Sequence, residues 1–238
     1  MFALGIAAIP AAFAFDDGNN GKGKNDYNAN PFVFIGTAKD CGSAGSRIVT
    51  SAWLTGLGLP DNGQPNAPAT TAANDPHMGL LLSKNGPYTD CSAAGATITG
   101  LNNQTTLTEL GFDYRNGGHC GAGAPRFNIT TTAGYTYFAG CADGTQTPAP
   151  QDTAQWTRVR FAPAQIFPQM TSNPPFTSTM AIKSISIIYD EGTDVPSAQD
   201  PNGVGLAVID NIDINGTLIT DGHGVGEDNK KSKKNGDD

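Results

Sequence analysis

"SIIYDEGTDVPSAQDPNGVGLAVIDNIDING", Ser186 to Gly216, is the stretch whose reading decides the fold. A β-branched run ending at Tyr189 meets an acidic loop rich in Gly and Pro, and a second aliphatic run threaded with carboxylates follows. In a strand, successive side chains point to opposite faces. Ile185, Ile187 and Tyr189 then share one face, and Leu206, Val208, Ile212 and Ile214 share another. On this reading Asp210 falls on the apolar face of its strand, where it needs hydrogen-bond donors, a cation or solvent at a sheet edge. Two such runs joined by turn residues, with no helical period, point to antiparallel β-structure.

Working outward, the same cadence fills the chain. Residues 32–36, 47–54, 79–83, 96–100, 105–115, 125–132, 135–140 and 156–161 are short β-branched or aromatic runs separated by Gly, Asn and Pro. Leu110, Phe112 and Tyr114 alternate with Glu109, Asp113 and Arg115, which implies one face on the core and one toward solvent. Residues 126–138 read as a hairpin turning near Thr132-Ala133-Gly134, pairing Phe127 and Ile129 with Tyr135 and Tyr137. In residues 156–161, Arg158 and Arg160 stand roughly opposite Trp156, Val159 and Phe161. Residues 59–78 hold four prolines and no periodicity, and read as a long loop.

Composition agrees. The chain has 238 residues with 30 Gly, 16 Pro and only 15% charged residues, a mixture poor in helix formers. That length suits a single large all-β domain. The expected class is an all-β, antiparallel two-sheet β-sandwich. The formal charge is -8, and four lysines are concentrated in the tail, so a basic face for nucleic-acid phosphate is absent.

Residues 1–14 read as a signal peptide: an apolar run too short to span a bilayer ends in Ala12-Phe13-Ala14, a small-x-small pattern, although no Lys or Arg precedes it. Residues 15–31 read as a flexible arm, 32–220 as the sandwich domain, and 221–238 as a disordered charged tail. No segment is long and apolar enough to be a transmembrane helix. The expected location is secreted, extracellular or cell-surface. Cys41, Cys91, Cys120 and Cys141 are even in number and form no CxxC, which suits two disulfides. Four cysteines allow three connectivities. Cys120 with Cys141 is favoured because the two flank the hairpin, and Cys41 with Cys91 follows by elimination.

The aliphatic strand ending in Asp190, the acidic loop and the closing "VIDNIDING" resemble the last strands of galactose-binding-like jelly rolls in secreted bacterial proteins, including many carbohydrate-binding modules. "LGFDYR" and "APRFNIT" upstream resemble them more loosely. The resemblance covers the last third of the chain. It implies a jelly roll, commonly with a structural calcium, and a ligand face or loop-end site in the members that bind sugars.

Three chemistries compete for the polar residues. Asp190, Glu191, Asp194 and Asp210, with Asp200 and Asp213, offer hard oxygen ligands for calcium, although the spacing is not that of an EF-hand loop. A solvated loop, with Asp210 bonded to backbone, is the competing reading and accounts equally for Gly192, Pro196, Pro201 and Gly203. The Gly-rich segment 112–127 brings Arg115, Asn116, His119 and Arg126 beside a cysteine, as donors for sugar hydroxyls or a carboxylate. Against this, glycines serve turns, and arginines pair with Asp113 or Glu109. Among the aromatic residues, Trp53, Trp156, Tyr88, Tyr114 and Tyr137 are candidates for a sugar platform, with both tryptophans expected to be at least partly buried.

Catalysis has the least support. The chain has only three glutamates and three histidines, no GxSxG elbow, and no motif around His77 or His119. Glu109 with Asp113 or Asp190 is the one glycosidase-like pairing. The reading that results is a secreted, non-catalytic module for carbohydrate or cell-surface polysaccharide. The alternative is a structural extracellular subunit that self-associates by strand addition.

Overall fold

The computed structural model describes residues 27–61, 75 and 77–220. The signal-peptide reading, most of the arm, the centre of the long loop and the tail lie outside the described residues. The strands are β1 (Asn28–Ile35), β2 (Val49–Thr55), β3 (Met78–Lys84), β4 (Ser92–Thr99), β5 (Leu110–Arg115), β6 (Arg126–Thr131) and β7 (Thr136–Gly140). They continue with β8 (Thr145–Pro148), β9 (Trp156–Arg160), β10 (Phe167–Pro168), β11 (Ile182–Tyr189), β12 (Leu206–Ile214) and β13 (Thr217–Ile219). One α-helical turn, α1 (Ala38–Cys41), and two 3-10 turns, Cys141–Asp143 and Pro163–Gln165, interrupt them. Because β1 starts at Asn28, residues 28–31 belong to the sheet and not to the arm.

Two antiparallel sheets pack face to face. One runs β1-β4-β11-β6-β7-β10; the other runs β2-β3-β12-β5-β9-β8, with β13 added beside β12. The chain crosses repeatedly from sheet to sheet, as at β1 to β2, β3 to β4, β4 to β5 and β5 to β6, which is the wrapping of a jelly roll. Inward residues interdigitate between the layers. Phe112 on β5 meets Phe127 on β6 at 5.5 Å between ring centres, and Phe161 stands edge-on to Phe127 at 5.9 Å. Such pairs add about 0.5–1.5 kcal/mol each to the burial of their area. Trp53 and Trp156 are both buried, and the Trp53 indole donates to the Ala29 carbonyl at 2.8 Å.

The hairpin β6–β7 pairs Ile129 with Tyr137, as the alternation implies, but sets Phe127 opposite Ala139. Tyr135 stays outside the strand, its carbonyl accepting from the Thr131 amide at 2.9 Å. Gly134 turns the chain with φ of 87°, a conformation open to glycine. Both disulfides form as favoured. Cys41–Cys91 and Cys120–Cys141 bring Cα atoms to 6.1 and 5.1 Å, and no cysteine is free.

The largest departure from simple alternation lies in β12. Asp210 pairs with Asp113 and Asp213 with Gly111, so Asn211 and Ile212 together oppose Phe112: this is a β-bulge. Asn211 takes φ of 45°, which Asn tolerates better than most residues. Ala207 and Ile209 therefore face the inter-sheet core before the bulge, and Ile212 and Ile214 after it. Leu206 and Val208 lie on the other face, with Leu59, Ala149 and Trp156. The expectation that 206, 208, 210, 212 and 214 share a face is thus corrected. Asp210 sits on the outer face, where its carboxylate accepts from the amides of Leu59 at 2.8 Å and Asn211 at 2.6 Å.

Candidate functional site

The outward face of the seven-stranded sheet carries a charged seam built from three adjacent strands. β5 supplies Asp113, β9 supplies Arg158 and Arg160, and β12 supplies Asn211 and Asp213. The Arg158 guanidinium grips Asp113 with two parallel hydrogen bonds of 3.0 Å, the planar fork that suits this pair. The Asn211 amide donates to the second Asp113 oxygen at 2.9 Å, so the fully buried carboxylate is well supplied with donors. Arg160 reaches Asp213 at 3.1 Å and Glu109 at 3.7 Å, and donates to the Val159 carbonyl at 2.9 Å. The Gly216 amide completes Asp213 at 2.8 Å.

Of these, Glu109, Arg158, Arg160, Asp213 and Gly216 line an open trough of 630 Å³, with Pro150 and Leu218 as its apolar margins. Burial pushes the Asp213 carboxyl up to about 6; Arg160 opposes the shift, and the negative charge of Glu109 adds to it. Burial works against the Arg158 charge, but the hydrogen bonds and charge of Asp113 outweigh it and raise that group. The seam is therefore held in place by its own ion pairs. Its freest member is Glu109, whose side chain is 51% exposed.

Beyond the trough, a short segment and a loop fold over the same face. Asp61 receives the Trp156 indole at 2.6 Å and the Arg115 guanidinium at 2.7 Å. Asp152 caps the chain at Gln155, accepting from its amide at 3.1 Å. A smaller cavity of 190 Å³ lies between Arg115, Asn116, Gly117, Gly118, Leu206 and Val208.

The four donors expected from the Gly-rich segment do not converge. Arg115 is held by Asp61, and Asn116 is spent on the Ala154 carbonyl and the Thr157 hydroxyl, although both border that small cavity. His119 is fully buried, with Glu191 2.6 Å from Nε2 and Asp200 3.5 Å from Nδ1. Arg126 forms a bidentate pair with Asp190 at 2.6 and 2.8 Å and lies 5.3 Å over the Phe138 ring.

The expected calcium ligands are likewise dispersed. Asp190 serves Arg126, Glu191 serves His119, Asp194 accepts from the Tyr88 amide at 2.6 Å, and Asp210 belongs to the outer face. Among the described residues no three His, Cys, Asp or Glu side chains form a group able to hold a metal ion. Of the five aromatic residues singled out, Trp53, Trp156, Tyr114 and Tyr137 are buried and Tyr88 is 57% exposed.

Sequence reasoning passed over the convergence of Glu109, Asp113, Arg158, Arg160 and Asp213. Alternation alone puts Asp113 and the two arginines outward. Opposite charges on neighbouring strands are a pairing signal, but it needs the β5–β9 adjacency, which no local pattern states.

No family model matches the chain, and no curated protein matches its sequence. Two solved structures are similar in fold. The family 11 carbohydrate-binding module of the cellulosomal cellulase Lic26A-Cel5E of Clostridium thermocellum is 14% identical, with a TM-score of 0.39 over 82% of this chain and 88% of that one. The family 11 module from Clostridium thermocellum in complex with a β-1,3-1,4-mixed-linked tetrasaccharide is 15% identical, with a TM-score of 0.41 over 81% of this chain and 97% of that one.

Proposed function

We propose that this protein is a secreted, non-catalytic module that binds a neutral polysaccharide along the outer face of its seven-stranded sheet. The observation that carries the reading is the trough: an open cavity of 630 Å³ whose Arg158, Arg160 and Asp213 side chains are already held by ion pairs, with Glu109 left half-exposed. A sugar presents many hydroxyls and no charge, so its recognition calls for fixed donors and acceptors beside apolar margins. Arg158 and Arg160 supply donors, Glu109 and Asp213 supply acceptors, and Pro150 and Leu218 offer apolar surface to sugar C–H groups. Because each guanidinium already has a carboxylate, an anionic sugar would have to break an existing pair.

The test is affinity electrophoresis of the oxidised mature protein in gels containing a panel of neutral and acidic polysaccharides, mixed-linkage β-1,3-1,4-glucan among them. Retardation by a neutral polysaccharide, weakened about tenfold by Glu109→Ala through loss of charge-assisted hydrogen bonds, is the expected result. Retardation only by acidic polysaccharides, or by none, would remove the reading.

A further inference from the structure

Another cavity lies at one end of the sandwich and shares no lining residue with the trough: it draws on β1, β4 and the segment between β3 and β4. Its volume is 330 Å³, and its walls include Phe34 and Tyr88, two aromatic rings that are 45% and 57% exposed. Rings of this size are ordinarily covered, and an exposed pair around one cavity offers flat apolar surface to a ligand. The polar lining is made by Lys84, Thr89, Asp90, Ser92 and Asp190.

The wall carrying Tyr88 is held from several sides. Lys84 is buried, and its ammonium donates to the carbonyls of Tyr88 at 3.0 Å, Asp90 at 2.7 Å and Asp190 at 2.9 Å, which uses all three of its protons. The Tyr88 amide donates to Asp194, and the Thr193 amide donates to the Gly86 carbonyl at 2.9 Å. The Cys41–Cys91 disulfide ties the neighbouring segment to the turn after β1. Asp90 accepts from the Ser92 hydroxyl and from the Ser46 amide at 3.1 Å, and these hydrogen bonds hold its carboxyl below the usual range. The cavity therefore presents exposed rings on a tethered backbone beside an ionised acceptor.

We infer that this cavity is a second sugar-binding subsite, in which Phe34 and Tyr88 cover the C–H face of a neutral hexose unit while Asp90 accepts from its hydroxyls. The inference rests on the carbohydrate-binding reading, but on none of the residues that carry it. Lys84 has no proton left for an anionic ligand, and Arg126 is committed to Asp190, so the cavity favours neutral sugars over uronates. Two subsites on one rigid body would let a single long chain, or two chains, be held at once.

The experiment is isothermal titration of the full-length mature protein with mixed-linkage β-1,3-1,4-glucan and with the neutral polysaccharides that retard it. Wild type is compared with Phe34→Ala, Tyr88→Ala and Glu109→Ala, each checked by its thermal melt. Both ring truncations remove exposed side chains and leave the backbone tethers intact. Weakening of about tenfold in Phe34→Ala and Tyr88→Ala, with melts unchanged, is the expected result. Unchanged binding in both, with weakening in Glu109→Ala, would overturn the second subsite and keep the trough. Loss of binding in the ring variants with Glu109→Ala unaffected would keep the subsite and overturn the trough. No binding to wild type by any sugar would overturn both.

Discussion

At the scale of single residues, Lys84 shows how a buried charge can be structural. Burial lowers its pKa, while Asp190, Asp90 and Asp194 pull the other way, and its three protons are shared among three carbonyls. Lys84→Met keeps the length and apolar stem but strands those carbonyls. We expect it to cost about 3 kcal/mol, the loss of charge-assisted hydrogen bonds from buried partners, read as a lower urea midpoint with an unchanged slope. A midpoint within error of wild type would show that water replaces the ammonium. Such a role was not legible in the sequence: Lys84 ends an ordinary apolar run, and its partners lie 4, 6 and 106 positions away. His119 illustrates the reverse case. A polar residue in a glycine loop reads as a surface donor, yet contacts with Glu191 and Asp200, more than 70 residues distant in the case of Glu191, bury it.

At the scale of elements, strand existence was legible and strand partnership was not. Every long run with period two became a strand, because alternation reports burial on one face. The short strands β8, β10 and β13 were missed, since two to four residues carry no period. The disulfides were readable because one pair flanks a hairpin. The trough was not, because it depends on β12 lying between β3 and β5, with β9 beyond. The outermost strand of the six-stranded sheet has a consequence of its own. β1 exposes Val33, Phe34 and Ile35, with no charged residue along its length to discourage pairing with another edge. If the strand adds to a second copy, light scattering will show oligomers that grow with concentration, and Val33→Lys will return them to monomer. A wild-type monomer at every concentration would end that alternative.

At the scale of the whole molecule, the network on the outer face couples stability to pH. Asp213 has its carboxyl raised to about 6 by burial, from an ordinary 3.8, so the folded state binds its proton more tightly than the unfolded chain does. The sign follows directly: its contribution to stability is fully present below the ordinary carboxylate value and is lost as pH rises through about 6. Asp90, held low by Ser92 and Ser46, acts in the opposite sense, and its contribution is lost as pH falls below the ordinary value. Melting temperatures taken across pH 4 to 7 should therefore fall less steeply in Asp213→Asn than in wild type. Parallel curves would show that other groups govern this range. The two effects meet in one molecule because the sandwich puts its ionised acceptor at a loop end and its buried carboxyl on a sheet face.

The bulge in β12 has a consequence for how this chain tolerates change in length. Asn211 is the additional residue, and the inward set of Ile209, Ile212 and Ile214 would keep its orientation if Asn211 were deleted, since Ile209-Asp210-Ile212-Asp213-Ile214 alternates without interruption. A one-residue deletion ordinarily turns the remainder of a strand inside out. Here it would restore regular pairing and remove the donors that Asn211 offers to Asp113 and Asp210. A central strand with its spare residue at the bulge can thus gain or lose that position in evolution while its hydrophobic side stays in register.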